Sequence, residues 1–188
     1  MILLLDGLLV GLIIGLLAGG KLSHLRNVSF IHETFFFVAL LAHLAWPFLA
    51  RVFEVDPIQT IVGWVLLALA LAGLAIMNAR YVGMIVLAVG LFLNILVVAA
   101  NGAMPVALDA IGEGTAAYEQ ALEDIESSWL HEPMSAETRL PVLGDVLRIP
   151  GPSWHRGLAS LGDFLMSIGV ALVMVQGMRG IVSNVPDP

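Results

Sequence analysis

Five apolar runs, at about residues 2–20, 30–50, 58–77, 82–100 and 158–178, decide most of what this chain can become. Each is near the ~20 residues an α-helix needs to cross the hydrocarbon core of a bilayer. In lipid the backbone polar groups must be satisfied inside the segment, which leaves helix as the form each run takes. Apolar residues are 59% of the 188 and charged residues 12%, against roughly 25% charged in a soluble domain. Too little polar surface remains to coat a water-soluble globule. The expected fold is an all-α membrane protein, one membrane domain over 1–188. It is a bundle of about five transmembrane helices, with a partly helical extracytoplasmic insert, 101–157, between helices four and five. The first run reads as a retained helix rather than a secretory signal, because no basic residue precedes it and Lys21 follows it.

The short loops set an orientation. Lys21 and Arg26 lie between the first two runs, Arg80 between the third and fourth, and Arg179 after the fifth. Positive-inside logic makes that shared side cytoplasmic, leaving the N-terminus outside and the C-terminus inside a plasma membrane. Arg51, in the Arg51–Pro57 turn, is the one dissenting charge among the short loops. Trp46, Trp64, Trp129 and Trp154 fall on or near the outer face, where indoles anchor at the interface. Residues 101–158 hold nine acids against Arg139, Arg148 and Arg156, a balance of 3 − 9 = −6. Nothing resembles a basic nucleic-acid surface, so no nucleic-acid partner is expected. With no cysteine in the chain, disulfides, thiolate metal sites and a cysteine nucleophile are excluded. No metal or cofactor is expected.

Small and polar residues then mark faces. Gly7, Gly11, Gly15 and Gly19 recur at four-residue spacing and form a bare stripe for close helix approach, suited to a neighbour in the same chain, to self-association or to a membrane protein partner. Gly83, Leu87, Gly90, Asn94, Val97 and Asn101 share one face of the fourth run, its two amides suited to interhelical hydrogen bonds or to a polar site. His32 and His43 also share a face but stand about 16 Å apart by helical rise, too far for one metal ion. Within the insert, about 115–129 has helical periodicity, with Tyr118, Leu122, Ile125 and Trp129 on one side. His131 and His155 read as solvated loop histidines, and 140–153 as an ordered, turn-rich stretch.

Two acids stand out at the end of the chain. Asp145 follows Gly144, and Asp163 follows Gly162 at the head of the last run. An acid at a membrane helix end is costly unless it is solvated, paired or used. Two carboxylates held close share a proton, so that one can activate water while the other donates. Asp163 can equally satisfy free backbone N–H groups at a helix N-terminus. Asn94, Asn101 and Ser160 are the candidate binding residues beside the pair.

The stretch Gly144-Asp145 through Leu161-Gly162-Asp163-Phe164 to Gly169 and Leu172 resembles the C-terminal part of prolipoprotein signal peptidase (signal peptidase II) over roughly 30 residues. Ser160 stands where that family carries Asn, and the family's Asn-x-x-Asp-Arg motif is absent. The resemblance implies Asp145 and Asp163 as a catalytic dyad. Asn101-Gly-x-Met-Pro105, Leu143-Gly-Asp145 and Ser160-x-Gly-Asp163 together are also similar to a family of small bacterial membrane proteins known only as a domain of unknown function. That likeness implies a bacterial plasma-membrane protein and no stated activity. Three readings follow. The leading one is a non-enzymatic membrane component that binds a membrane lipid or a partner, its acids serving as caps and as partners of Arg139, Arg148 or Arg156. The alternatives are an aspartyl hydrolase of membrane-embedded or lipid-modified peptides, and a small transporter using Glu33, His43 and Asn94.

Overall fold

The computed structural model describes residues 2–112, 114–152 and 157–181. Trp154, His155 and Arg156, each given a role above, lie outside them. Four helices are long and apolar enough to cross a membrane: α2 (Glu33–Val52), α3 (Pro57–Met77), α4 (Val82–Asn101) and α6 (Leu161–Arg179). The first run forms α1 (Ile2–Leu17), 16 residues and about 24 Å long, short of the ~30 Å hydrocarbon core. It stops before residue 20 because Gly19 turns left-handed at φ +78°. The Gly20 and Gly19 amides then donate back to the carbonyls of Gly15 and Leu16, the Schellman closure of a helix C-terminus. Four helices therefore meet the spanning length, and the fifth expected span is shorter than drawn. A 3-10 turn at Leu22–Asn27 leads into α2.

Small residues dictate the helix order. A Cβ on Gly7, Gly11 or Gly15 would collide with Ser167, Ala171 or Met178, so α1 lies along α6 in parallel. Gly19 has nothing within 4 Å of such a Cβ. On its other side α6 meets α4 in antiparallel fashion, Gly83 against Gly169 and Val173, Gly90 against Gly162 and Met166. The backbones approach too closely there for any side chain. Next comes α3, and α2 packs on α3 at the edge, where the Trp46 indole lies over Gly63 and donates to the Thr60 carbonyl at 2.7 Å. The dry core between α2, α3 and α4 holds Phe36, Ala68, Leu71, Met84, Leu91 and Ile95. Outward faces stay apolar, with Leu9, Phe48, Ile76 and Phe92 exposed, as a lipid-facing surface requires.

The insert is more ordered than its turn-rich sequence suggests. Its helix, α5 (Ala116–Glu126), starts at Thr115, whose hydroxyl accepts from the Tyr118 amide. Tyr118, Leu122 and Ile125 pack with Val106, Leu108 and Leu158, while Trp129 falls past the helix end. Four three-residue strands were not expected. β1 (Met104–Val106) pairs in parallel with β2 (His131–Pro133), and β3 (Leu147–Ile149) pairs antiparallel with β4 (Gly157–Ala159). A further parallel bridge joins Val106 to Asp145. Strands this short carry no readable alternation, which is why periodicity missed them.

Opposite the insert, the loops converge at the end of α6. The Lys21 amide and His24 Nδ1 both reach the Met178 carbonyl, at 2.8 and 2.9 Å. Asn78, fully buried, accepts from the Ile31 amide and donates to the Ile31 and Leu74 carbonyls. The segments bearing Lys21, Arg26, Arg80 and Arg179 thus share one end of the bundle.

Candidate functional site

The first half of the site is the start of α6. Ser160 is its N-cap, the hydroxyl accepting from the Asp163 amide at 3.0 Å, and Asp163 Oδ2 accepts in return from the Ser160 amide at 3.2 Å. This reciprocal capping box satisfies two of the free N–H groups at a helix start. It is tied into the bundle by Asn94 of α4. Asn94 Nδ2 donates to Asp163 Oδ1 at 2.8 Å, while its Oδ1 accepts from the Ser160 hydroxyl at 2.9 Å. Gly162 permits that distance, because a Cβ there would fall on Asn94 Oδ1. Asn94 and Ser160 are both buried.

The second half comes from the insert. The Asp145 amide donates to the Pro105 carbonyl at 2.8 Å, and its carbonyl accepts from the Ala107 amide at 3.0 Å. This segment therefore lies against β1 as an extra strand. Gly144 makes that approach possible, since a Cβ would sit 2.5 Å from the Pro105 carbonyl oxygen. The Asp145 side chain is turned inward, and its Oδ1 is buried with no hydrogen-bond partner among the described residues. Oδ2 stands 3.9 Å from His131 Nε2, beyond hydrogen-bonding distance.

Electrostatics separate the two acids. Burial, reinforced by the negative charge of Asp163, pushes the Asp145 carboxyl up to about 8. At neutral pH Asp145 is the neutral acid beside a hydrogen-bonded Asp163. The protein packed around His131 draws its pKa down while Asp163 opposes that. With 41% of the His131 side chain open to solvent, hydration offsets part of the lowering. The pair Asp145–His131 is thus a neutral acid facing an imidazole rather than an ion pair. It offers an O–H donor, a free acceptor oxygen and a ring nitrogen. Among the described residues no group of three or more His, Asp or Glu could hold a metal ion.

Asp163, Asn94 and Ser160 form one hydrogen-bonded group at the start of α6, and Asp145 makes none of those bonds, being linked to it only through the charge of Asp163. Asn101 is engaged elsewhere, its side chain gripping the Arg139 backbone through both carbonyl and amide at 2.8 and 2.9 Å. Among the described residues neither acid forms an ion pair with an arginine. Arg139 donates to the Ala100 carbonyl instead, and the expectation of arginine partners fails for Arg139 and Arg148. His43 lies apart, its ring 5.1 Å from that of Trp64. His131, a solvated loop histidine by sequence pattern, instead faces the acid. Only the parallel pairing of β1 with β2, which sets Met104 beside His131, brings it there, and no local pattern could have signalled it.

The family model described as Family of unknown function (DUF5317) matches residues 27–175. No curated protein matches the chain, and no solved structure does.

Proposed function

The chain belongs to the DUF5317 family of unknown function, whose match spans 149 of its 188 residues (175 − 27 + 1), and we propose that it is a non-enzymatic membrane component. It engages a lipid or a partner through the polar site where the insert meets α4 and α6. One observation carries this reading: both carboxylate oxygens of Asp163 already accept structural hydrogen bonds, from Asn94 and from the Ser160 amide. Each oxygen keeps a second lone pair, but the helix cap and its tie fix the carboxylate's orientation toward the bundle, which gives it a structural task that needs no substrate. Asp145, held neutral, and the half-open His131 are left as the groups able to meet a ligand. By the positive-inside rule the insert faces out and the loops bearing Lys21, Arg26, Arg80 and Arg179 face the cytoplasm.

The test compares Asp163→Asn with wild type in detergent and in reconstituted vesicles supplied with lipid-modified peptides. The binding reading expects lower thermal stability and no cleavage by either protein. Peptide cleavage by wild type, lost in an Asp163→Asn variant of unchanged stability, would refute it.

A second reading is favoured by a separate observation. A carboxyl raised to about 8 next to a second carboxylate is the division of roles an aspartyl hydrolase uses, one acid protonated and one not. In that reading Asp145 donates the proton and Asp163 orients water, as the likeness to prolipoprotein signal peptidase implies. The same cleavage assay decides between the two.

A further inference from the structure

At the opposite end of the bundle, His24, Asn27, Tyr81, Gln176 and Arg179 line a cavity of about 200 Å³. We propose that this cavity binds the phosphate of an anionic phospholipid headgroup. It goes beyond the insert site and is independent of it.

Three lining side chains, Arg179, Asn27 and Gln176, bring donors. Arg179 supplies a guanidinium and Asn27 an amide. The Gln176 carbonyl oxygen accepts from the Gly83 amide at 3.4 Å, leaving its N–H₂ for a ligand. His24 Nδ1 contacts a carbonyl, that of Met178. A carbonyl only accepts, so Nδ1 carries the hydrogen, and Nε2 donates to a ligand only when the ring is protonated; the Tyr81 hydroxyl gives its hydrogen to the Ser29 carbonyl. Among the described residues no carboxylate lines the space.

A helix C-terminus normally repels an anion, because its last carbonyls are unpaired. Here three of the last four are capped. The Gln176 and Gly177 carbonyls accept from the Ile181 and Gly180 amides, and the Met178 carbonyl from the Lys21 amide and His24. Positive charge surrounds the cavity instead. Lys21 precedes, and Arg26 lies within, the 3-10 turn that carries His24. Arg80 holds Ser29 and sits 5.5 Å above the Tyr81 ring, with its Nε buried and without a hydrogen-bond partner among the described residues. Glu33 opens α2 on the same side but does not line the cavity.

Size and setting select a headgroup. About 200 Å³ is below the ≈ 300 Å³ at which pockets for drug-sized molecules begin, and so suits a phosphate with its immediate substituents. The positions beside the lining residues are apolar and exposed, namely Leu22, Val82 and Ile181, which offers acyl chains a path down the helices. Basic pockets between membrane helices are a recurrent seat for anionic headgroups.

The full chain in neutral detergent is titrated with short-chain phosphatidylglycerol, with short-chain phosphatidylcholine and with inorganic phosphate, and followed by native mass spectrometry and thermal unfolding. Phosphatidylglycerol is expected to bind saturably and raise Tm, in preference to phosphatidylcholine. Arg179→Gln should weaken it about tenfold or more, the loss of one charge-assisted hydrogen bond. Asn27→Ala should weaken it less, and Arg51→Gln at the far end of α2 should leave it unchanged. Equal affinity for phosphatidylcholine, or phosphate binding that phosphatidylglycerol cannot displace, would overturn the lipid assignment. Phosphatidylglycerol binding that ignores both Arg179→Gln and Asn27→Ala would overturn the site.

Discussion

Replacing Asp145 by Asn should remove a pH dependence that wild type carries. The Asp145 carboxyl moves from an ordinary 3.8 to about 8 in the fold. Between those values the unfolded chain has lost its proton and the native state keeps it, so stability falls as pH rises. Each pKa unit is worth about 1.4 kcal/mol, and the whole window of about four units amounts to roughly 6 kcal/mol. The benefit of the proton is fully present below pH 3.8 and gone above about 8. The amide of Asp145→Asn is neutral at every pH and nearly isosteric with the protonated acid. The variant's stability relative to wild type should therefore climb by about 1.4 kcal/mol per pH unit from pH 5 to 7.5 and level off above 8. Reversible unfolding in mixed micelles at half-unit pH steps measures the difference directly. A flat difference would mean that Asp145 is solvated as an ordinary carboxylate. A difference that is flat at pH 5–6 and climbs only above about 6.5 would mean that Asp145 is ionised and that the titrating group is a protonated His131 paired with it. Either refutes the neutral-acid assignment.

Two further outcomes follow from the packing and the topology. Gly162→Ala places a methyl on Asn94 Oδ1 and should destabilise by about 1–3 kcal/mol, as overpacking does. Gly73→Ala, in α3 with nothing within 4 Å, should be neutral or stabilise by up to about 1 kcal/mol, both read as Tm in detergent. Because the chain has no cysteine, Ser23→Cys and Ser135→Cys each give a single thiol. An impermeant maleimide on intact cells should label Ser135→Cys, in the insert, and spare Ser23→Cys until the membrane is opened; the reverse pattern inverts the orientation.

What could be read from the sequence was what lipid imposes locally. Run lengths located α2, α3, α4 and α6 to within a few residues, because a bilayer fixes both length and apolarity. The stripe Gly83–Gly90–Asn94 named the face of α4 that meets α6, and Gly7–Gly11–Gly15 the face of α1. The stripe did not reveal that Asn101 turns to the Arg139 backbone, since a helical face says nothing about which loop folds back over it. Asp163 was legible as a cap because it heads the last apolar run, where a helix start leaves N–H groups free, whereas its reciprocal partner Ser160 was not marked for that role. The neutral state of Asp145 was not, because it depends on burial by strands that are far apart in sequence. The end of α1 at Leu17 was hidden by a continuing apolar run, although Gly19-Gly20 was the signal that closed it.

The decisive question is whether Asp163 is a structural tie or a free carboxylate, and a double-mutant cycle on Asn94 and Asp163 answers it. Unfolding free energies of Asn94→Ala, Asp163→Ala and the double variant give the coupling between the two side chains. A hydrogen bond to a charged group predicts a coupling of about 1.5–3 kcal/mol, with each single variant less stable than wild type. Single effects that add to within about 0.5 kcal/mol, in variants as stable as wild type, would contradict the account and leave Asp163 free for catalysis.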